Sequence, residues 1–393
     1  MAVSEKIEKF MTSASWIRKM FEEGIRMKAE FGAENVYDFS LGNPIMEPPQ
    51  EYLDVLKRLI NDPPGGLHRY MPNAGHPEVR AEVAAYLVSE FGKPIEADDV
   101  IMTSGAGGAL NVALKSLLDP GDEVIVVAPF FPEYRFYADN HGGKLVVVES
   151  SDDFMLDMNA MENAVSGRTK AVILNSPNNP SGVIYDAASL ARLGELLKSR
   201  SESTGRPITI LSDDPYRKIV YDGEKPPSIF DAYSNTILIT SHSKDLGLPG
   251  ERIGYAAISP GHADREALRG AMTFANRTLG FVNAPALFQY SVAEVQAASV
   301  PVDKYQELRD LFCKGLDEAG IEYVRPQGAF YIFPRSPAGK DDMAFVRALQ
   351  EQRILAVPGS GFGRAGHFRL SFCVTREEIE KSLPGFKKAV QSV

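Results

Sequence analysis

Between about residues 99 and 260 the chain alternates short apolar runs with helical stretches, and that rhythm predicts most of the fold. Residues 100–103, 123–128, 144–149, 171–175, 208–212, 236–240 and 253–258 read as strands. Most are near-continuous in Val, Ile and Leu, the pattern of strands buried on both faces of a largely parallel sheet. The helical stretches between them, such as 108–118 and 189–199, suit crossover connections. Upstream, residues 16–28 put Ile17, Met20, Phe21, Gly24 and Met27 on one face, predicting an amphipathic helix. Residues 37–44 read as an extended segment broken at Gly42 and Pro44. Residues 77–91 predict a helix that starts on Pro77 and turns Val79, Val83, Tyr86, Leu87 and Phe91 to one side. Beyond residue 283 the pattern shifts to long helices, short strands near 330–333 and 368–372, and a terminal helix. The expected architecture is α/β. A large domain over 45–283 holds a mostly parallel seven-stranded sheet between helices, and residues 1–44 and 284–393 build a smaller α/β domain from both chain ends.

Length agrees: 393 residues exceed one ordinary core and suit a large domain with a smaller one. Lys plus Arg number 42 against 52 Asp plus Glu, a formal charge of −10. That argues against nucleic acid or an anionic membrane as partner, and leaves room for a local pocket that binds a small anion. Two cysteines, Cys313 and Cys373, cannot build a disulfide framework and suit a reduced, cytoplasmic setting. Residues 1–10 mix Glu and Lys without the apolar stretch of a secretory signal. No run approaches the ~18 apolar residues of a membrane span. The histidines include no pair at ligand spacing and no Cys/His cluster exists, so no metal site is expected.

Several polar motifs sit just past candidate strands, where open α/β sheets collect ligands. Thr103-Ser-Gly-Ala-Gly-Gly108 ends one strand and opens a helix; free N–H groups there suit an anion such as phosphate. A tight turn is the plainer alternative, and a dinucleotide loop is disfavoured because Leu110 stands where G-x-G-x-x-G needs its third glycine. Asn175-Ser-Pro-Asn-Asn-Pro-Ser-Gly182 is a rigid polar turn, by itself merely a loop. Ser212-Asp-Asp-Pro-Tyr216 sets two carboxylates at a strand edge, for helix capping or for pairing with a cation. Ser241-His-Ser-Lys244, with Arg252 in the turn Gly250-Glu-Arg-Ile-Gly254, brings a lysine among small residues. Such a lysine is ordinary surface charge, or the amine of a Schiff-base enzyme beside a phosphate site.

Taken in order, these motifs resemble the class I/II aminotransferases of the aspartate aminotransferase superfamily, pyridoxal-phosphate fold type I. The likeness runs from Leu41-Gly-Asn-Pro44 to Phe368-Arg-Leu-Ser-Phe372, and rests most on Asn178-Asn-Pro-Ser-Gly182, Asp213-Asp-Pro-Tyr216, Ser241-His-Ser-Lys244 with Arg252, and Arg369. The resemblance implies that Lys244 forms the internal aldimine and carries a proton from Cα. It implies that Asp213 pairs with the pyridine nitrogen, that Asn179 and Tyr216 bond the phenolic oxygen, and that Phe131 covers the ring. The phosphate would meet Gly105, Ala106 and Gly107 together with Ser241 and Arg252. Arg369 would clamp the substrate α-carboxylate, helped by Gly42 and Asn179. Tyr70, in Arg69-Tyr-Met-Pro-Asn-Ala-Gly75, would reach the phosphate of a neighbouring subunit, making a homodimer the catalytic unit. Phe131 and Ser181 stand where many relatives carry tryptophan and threonine, and His242 is unusual inside Ser-x-Ser-Lys.

The function implied is transfer of an amino group from an L-amino acid to a 2-oxo acid, 2-oxoglutarate foremost, by a ping-pong mechanism. A C–S β-lyase or related elimination enzyme would use the same cradle. A non-catalytic regulator usually attaches a basic DNA-binding domain ahead of such a chain, and the family-like motifs here begin by Leu41. Arg277, in Phe274-Ala-Asn-Arg-Thr-Leu-Gly280, is a candidate for a distal carboxylate, with an exposed loop arginine as the simpler reading.

Overall fold

The computed structural model describes residues 2–13, 16–339 and 341–393. The side chains of residues 12, 13, 16–19 and 21 lie outside that description, and with them the expected apolar positions Ile17 and Phe21. The amphipathic N-terminal stretch forms the helix Trp16–Phe31, on which Met20 and Met27 are buried.

The strands, in chain order, are β1 (Tyr37–Asp38), β2 (Val100–Thr103), β3 (Glu123–Ala128), β4 (Lys144–Glu149), β5 (Thr169–Asn175), β6 (Thr209–Asp213), β7 (Thr236–Ser241), β8 (Gly254–Ile258), β9 (Tyr331–Ile332), β10 (Ile354–Leu355), β11 (Val357–Pro358) and β12 (Phe368–Ser371). β2 to β8 form one seven-stranded sheet in the order β2-β8-β7-β6-β5-β3-β4. Every pairing is parallel except the two made by β8, which runs antiparallel to β2 and β7.

Period-two alternation sorts the side chains to two faces. Ile101, Val124, Val126, Ile173, Leu211 and Ile239 join Leu110, Ala113 and Leu114 of helix Gly105–Leu117, and Leu268 and Met272 of Arg265–Thr278, in one cluster. Val100, Met102, Ile125, Val172, Leu174 and Ile210 pack with Val79, Val83 and Leu87 of Pro77–Phe91 and with Leu193 and Leu197 of Ala187–Thr204. Burial on both faces explains the apolar middle of each central strand, while polar residues such as Thr209, Asp213, Thr236 and Ser241 stand toward the strand ends. The helix after β2 opens at Gly105, three residues ahead of the expected start, because its first turn is made of small residues with no apolar signal.

The two chain ends meet. β1 pairs in parallel with β10, and β12 lies between β11 and β9 in an antiparallel sheet. Helices Val302–Ala319 and Arg376–Gln391 cover these strands; a Cβ added to Gly315 would lie 2.2 Å from Leu383, so glycine sets how closely they approach. The register Val357↔Arg369 and Ser371↔Tyr331 carries Arg369 and Tyr331 to the C-terminal edge of the large sheet.

Candidate active site

Parallel strands end at one edge, and the loops leaving β2, β3, β5, β6 and β7 meet there around a cleft of about 320 Å³. Asp213, the last residue of β6, is 6 % exposed. Its Oδ2 accepts a hydrogen bond from Tyr134 Oη at 2.6 Å, and its Oδ1 has no partner. Burial pushes this carboxyl up to about 7; Tyr134 opposes the rise and the neighbouring Asp214 adds to it. A buried acid with one free oxygen on a cleft is a group waiting for a cation.

Asn175 faces Asp213 in the β5–β6 register. Its Nδ2 donates to the Asp213 carbonyl at 2.6 Å and its Oδ1 accepts the Asn179 N–H at 2.7 Å, which fixes the polar turn to the acid's strand. Asn178 serves the turn itself, its Oδ1 accepting from the N–H and hydroxyl of Ser181 at 3.0 and 2.8 Å. Asn179 Oδ1 is thereby free to accept Arg369 Nη1 at 3.1 Å.

Lys244 sits in the short helical turn His242–Asp245 after β7. Nζ donates to the Gly42 carbonyl at 2.8 Å and lies 5.3 Å from the centre of the Phe330 ring. Burial lowers the lysine to about 8; Cys373 counters the shift and the nearby Arg369 and Arg252 reinforce it. Gly42 must be small, since a Cβ there would fall 1.8 Å from Tyr331 Oη, which in turn lies 3.2 Å from Tyr216 Oη.

Arg369 is 2 % exposed. It donates to two neutral oxygens, Asn179 Oδ1 and the Ser40 carbonyl, and its Nε has no partner. Its guanidinium lies over the rings of Tyr331 and Phe362, at 4.6 and 4.9 Å. Such a cation is costly to bury unless an anion joins it.

At the other end of the cleft Ala106 and Gly107 open helix Gly105–Leu117, whose first N–H groups have no intrahelical acceptor. Arg252 packs against Gly105, where a Cβ would meet Nη2 at 2.8 Å. Its φ of +54° comes from the turn that leads into β8. Ser241 ends β7 beside Gly254, and Phe131 meets Tyr134 edge-on at 5.6 Å. One cleft thus collects Gly42, Ala106, Gly107, Phe131, Asn179, Asp213, Tyr216, Ser241, Lys244, Arg252 and Arg369.

Four residues fall elsewhere. Gly105 stands behind Arg252, and Tyr70, 96 % exposed, is not part of this cleft. Arg277 ends helix Arg265–Thr278 against its own Phe274 ring. His242 is buried away from the cleft, between Asp245 at 3.3 Å and Gln296 at 3.3 Å. Sequence reasoning missed Tyr134, Asn175, Tyr331 and Tyr137, which also line the cleft. Asn175 stood inside the motif Asn175–Gly182, without a feature to set it apart from the spacer residues.

The donor set fits pyridoxal phosphate: a free carboxylate oxygen for the ring nitrogen, a lysine amine, a ring to stack, and helix N–H groups with a guanidinium for phosphate. Fold and cleft together define a pyridoxal-phosphate enzyme of fold type I. The family described as aminotransferase class I and II matches residues 33–384. A probable aspartate aminotransferase of Methanocaldococcus jannaschii is 30 % identical over 91 % of this chain and 94 % of its own. Aromatic-amino-acid aminotransferase 2 of Thermococcus litoralis is 30 % identical over 100 % and 99 %. Among solved structures, an amino transferase from Eubacterium rectale superposes with a TM-score of 0.96, at 40 % identity over 100 % of this chain and 99 % of its own. The chain belongs to the class I/II aminotransferase family: it is a pyridoxal-phosphate-dependent transferase acting on small molecules.

Proposed function

We propose that the protein moves an amino group from an L-amino acid to a 2-oxo acid, 2-oxoglutarate foremost, in two half-reactions of a ping-pong cycle. The observation that carries this is the convergence of Lys244, Asp213 and Arg369 on one cleft. The dicarboxylate acceptor rests on relatives named for aspartate, one of them, from Thermus thermophilus, solved with maleate.

When bound, the cofactor supplies an electron sink for the substrate's Cα–H bond electrons. Asp213 would be the residue that keeps the ring nitrogen protonated, since its Oδ1 has no other partner. Lys244 would hold the cofactor through its amine, and that same amine, free, would be the base that takes the substrate's Cα proton. A lysine at about 8 is neutral in about one molecule in ten at pH 7, against about one in three thousand at 10.5. Arg369 would grip the α-carboxylate, Asn179 and Tyr216 would bond the phenolic oxygen, and Phe131 would cover the ring. Ala106, Gly107, Ser241 and Arg252 would hold the phosphate, with Gly105 behind Arg252.

The same proposal includes a large domain over 45–283, a small one from 1–44 and 284–393, and a homodimer in which Tyr70 completes the neighbour's phosphate site. The high exposure of Tyr70 supports this. A cytoplasmic setting is supported by two unpaired cysteines; no helix of the described residues is long and apolar enough to cross a membrane.

Lys244→Ala is expected to abolish turnover together with the visible absorbance of lysine-bound cofactor. Turnover that survives the change would overturn the assignment. A panel of amino donors with 2-oxoglutarate, run with and without the acceptor, tests the reaction type. Pyruvate released without acceptor would show elimination to be the main activity.

A further inference from the structure

The segment 359–367 joins β11 to β12 of the small sheet and leans on the ends of β3 and β4, and it carries a ring that lies beside Arg369. Phe362 ends the tight turn Gly359–Phe362 and is fully buried, its ring 4.9 Å from the Arg369 guanidinium. The Phe362 carbonyl accepts the N–H of Phe130 at 3.0 Å, one residue before Phe131 of the cleft. Gly363, at φ +80°, lets the turn press so close that an added Cβ would meet the Phe130 ring at 2.8 Å.

Two residues past Phe362, Arg364 reaches the end of β4 and the loop behind it. Nη1 donates to Glu149 Oε2 at 2.7 Å and the Ser150 carbonyl at 3.2 Å; Nη2 reaches Asp152 Oδ1 at 3.3 Å and the Ser151 carbonyl at 3.5 Å. Its side chain is only 16 % exposed, while Glu149 and Asp152 are 63 and 90 % exposed. Each exposed ion pair is weak alone. A planar guanidinium spanning four acceptors on consecutive residues is a geometric clamp that a point charge cannot reproduce.

We propose that Arg364 is a positioning residue for substrate binding: by latching segment 359–367 to residues 149–152 it holds Phe362 under Arg369. This rests on the reading of Arg369 as the α-carboxylate clamp. The Phe362 ring limits where the guanidinium can move, so a shift of that ring would displace the Arg369 donors that are to meet a carboxylate. Arg364 touches neither substrate nor cofactor, so it acts on binding rather than on the chemical step.

Steady-state kinetics of R364A holoenzyme test this. KM for amino acid and for oxo acid is expected to rise about tenfold, about 1.4 kcal/mol of binding. kcat should stay within about twofold, and the visible spectrum of the bound cofactor should be unchanged. R364K should recover only part of the loss. Unchanged KM in folded R364A overturns the proposal, and so does a fall in kcat with KM constant. If R364A fails to fold, E149Q/D152N removes the charges but leaves the backbone acceptors. A KM rise of about threefold is then expected, and wild-type KM at low salt overturns the latch. R369K separates the two readings. A large KM rise in R369K beside wild-type R364A sinks only the latch, whereas wild-type KM in R369K sinks the carboxylate clamp itself.

Discussion

Replacing Asp213 by asparagine should stabilise the cofactor-free protein at alkaline pH while destroying its activity. Asp213 is buried with one oxygen unpartnered, and its carboxyl is pushed from 3.8 up to about 7. The folded state therefore binds the proton more tightly than the unfolded one. Its contribution is fully present below 3.8 and is lost as pH rises through about 7. At about 1.4 kcal/mol per pH unit, ionising this residue costs the folded state up to ~4 kcal/mol above pH 7. Asparagine carries no charge, keeps an oxygen for Tyr134, and leaves its amide N–H groups facing the cleft at a cost of about 1–2 kcal/mol. The net gain expected at pH 8.5 is roughly 2 kcal/mol. Urea unfolding of both cofactor-free proteins at pH 5 and pH 8.5 is the assay, because titrating groups that do not couple to Asp213 cancel in the difference. The stability of D213N relative to wild type should improve by about 3 kcal/mol between the two pH values. A difference that does not change with pH would show that Asp213 is not an uncompensated buried acid, and the argument for its cationic partner would fail with it.

Two further substitutions probe the packing of the cleft. Gly42→Ala sets a Cβ 1.8 Å from Tyr331 Oη, so either the tyrosine leaves Tyr216 or the carbonyl that holds Lys244 moves. Stability should fall by about 1–3 kcal/mol, and turnover by more than tenfold; wild-type turnover would refute the fit. Tyr134→Phe removes the hydrogen bond to Asp213 Oδ2. The carboxylate then has both oxygens bare, and the cofactor-free protein should lose about 1–3 kcal/mol at pH 8.5 with little change at pH 4. Denaturation at both pH values checks this, and equal losses would point to packing instead of the charge.

The strands of the large sheet were legible because most carry a run of Val, Ile and Leu between turn residues, so their ends were found to within two residues. Helix Gly105–Leu117 was read late, since Gly105, Ala106 and Gly107 give no periodicity. Most of the candidate site was also legible: Asn179, Asp213, Lys244, Arg252 and Arg369 stand in motifs with recognisable spacing. Tyr134 and Tyr331 were not. Tyr134 is 79 residues from Asp213 and Tyr331 is 115 from Tyr216, and nothing local marks either as a hydrogen-bond partner.

What the sequence determined by itself is the set of groups and the strand ends they follow, because hydrophobic period and motif spacing are local properties of the chain. Only the tertiary structure decided their environment. It buried Asp213 with one oxygen free, lowered the Lys244 amine's pKa chiefly by burying it, with Arg369 and Arg252 adding to the shift, and set Arg369 against the rings of Tyr331 and Phe362. Desolvation and approach distance depend on segments hundreds of residues apart. No local pattern encodes them until the sheet edge and the returning C-terminal strands close around the same cleft.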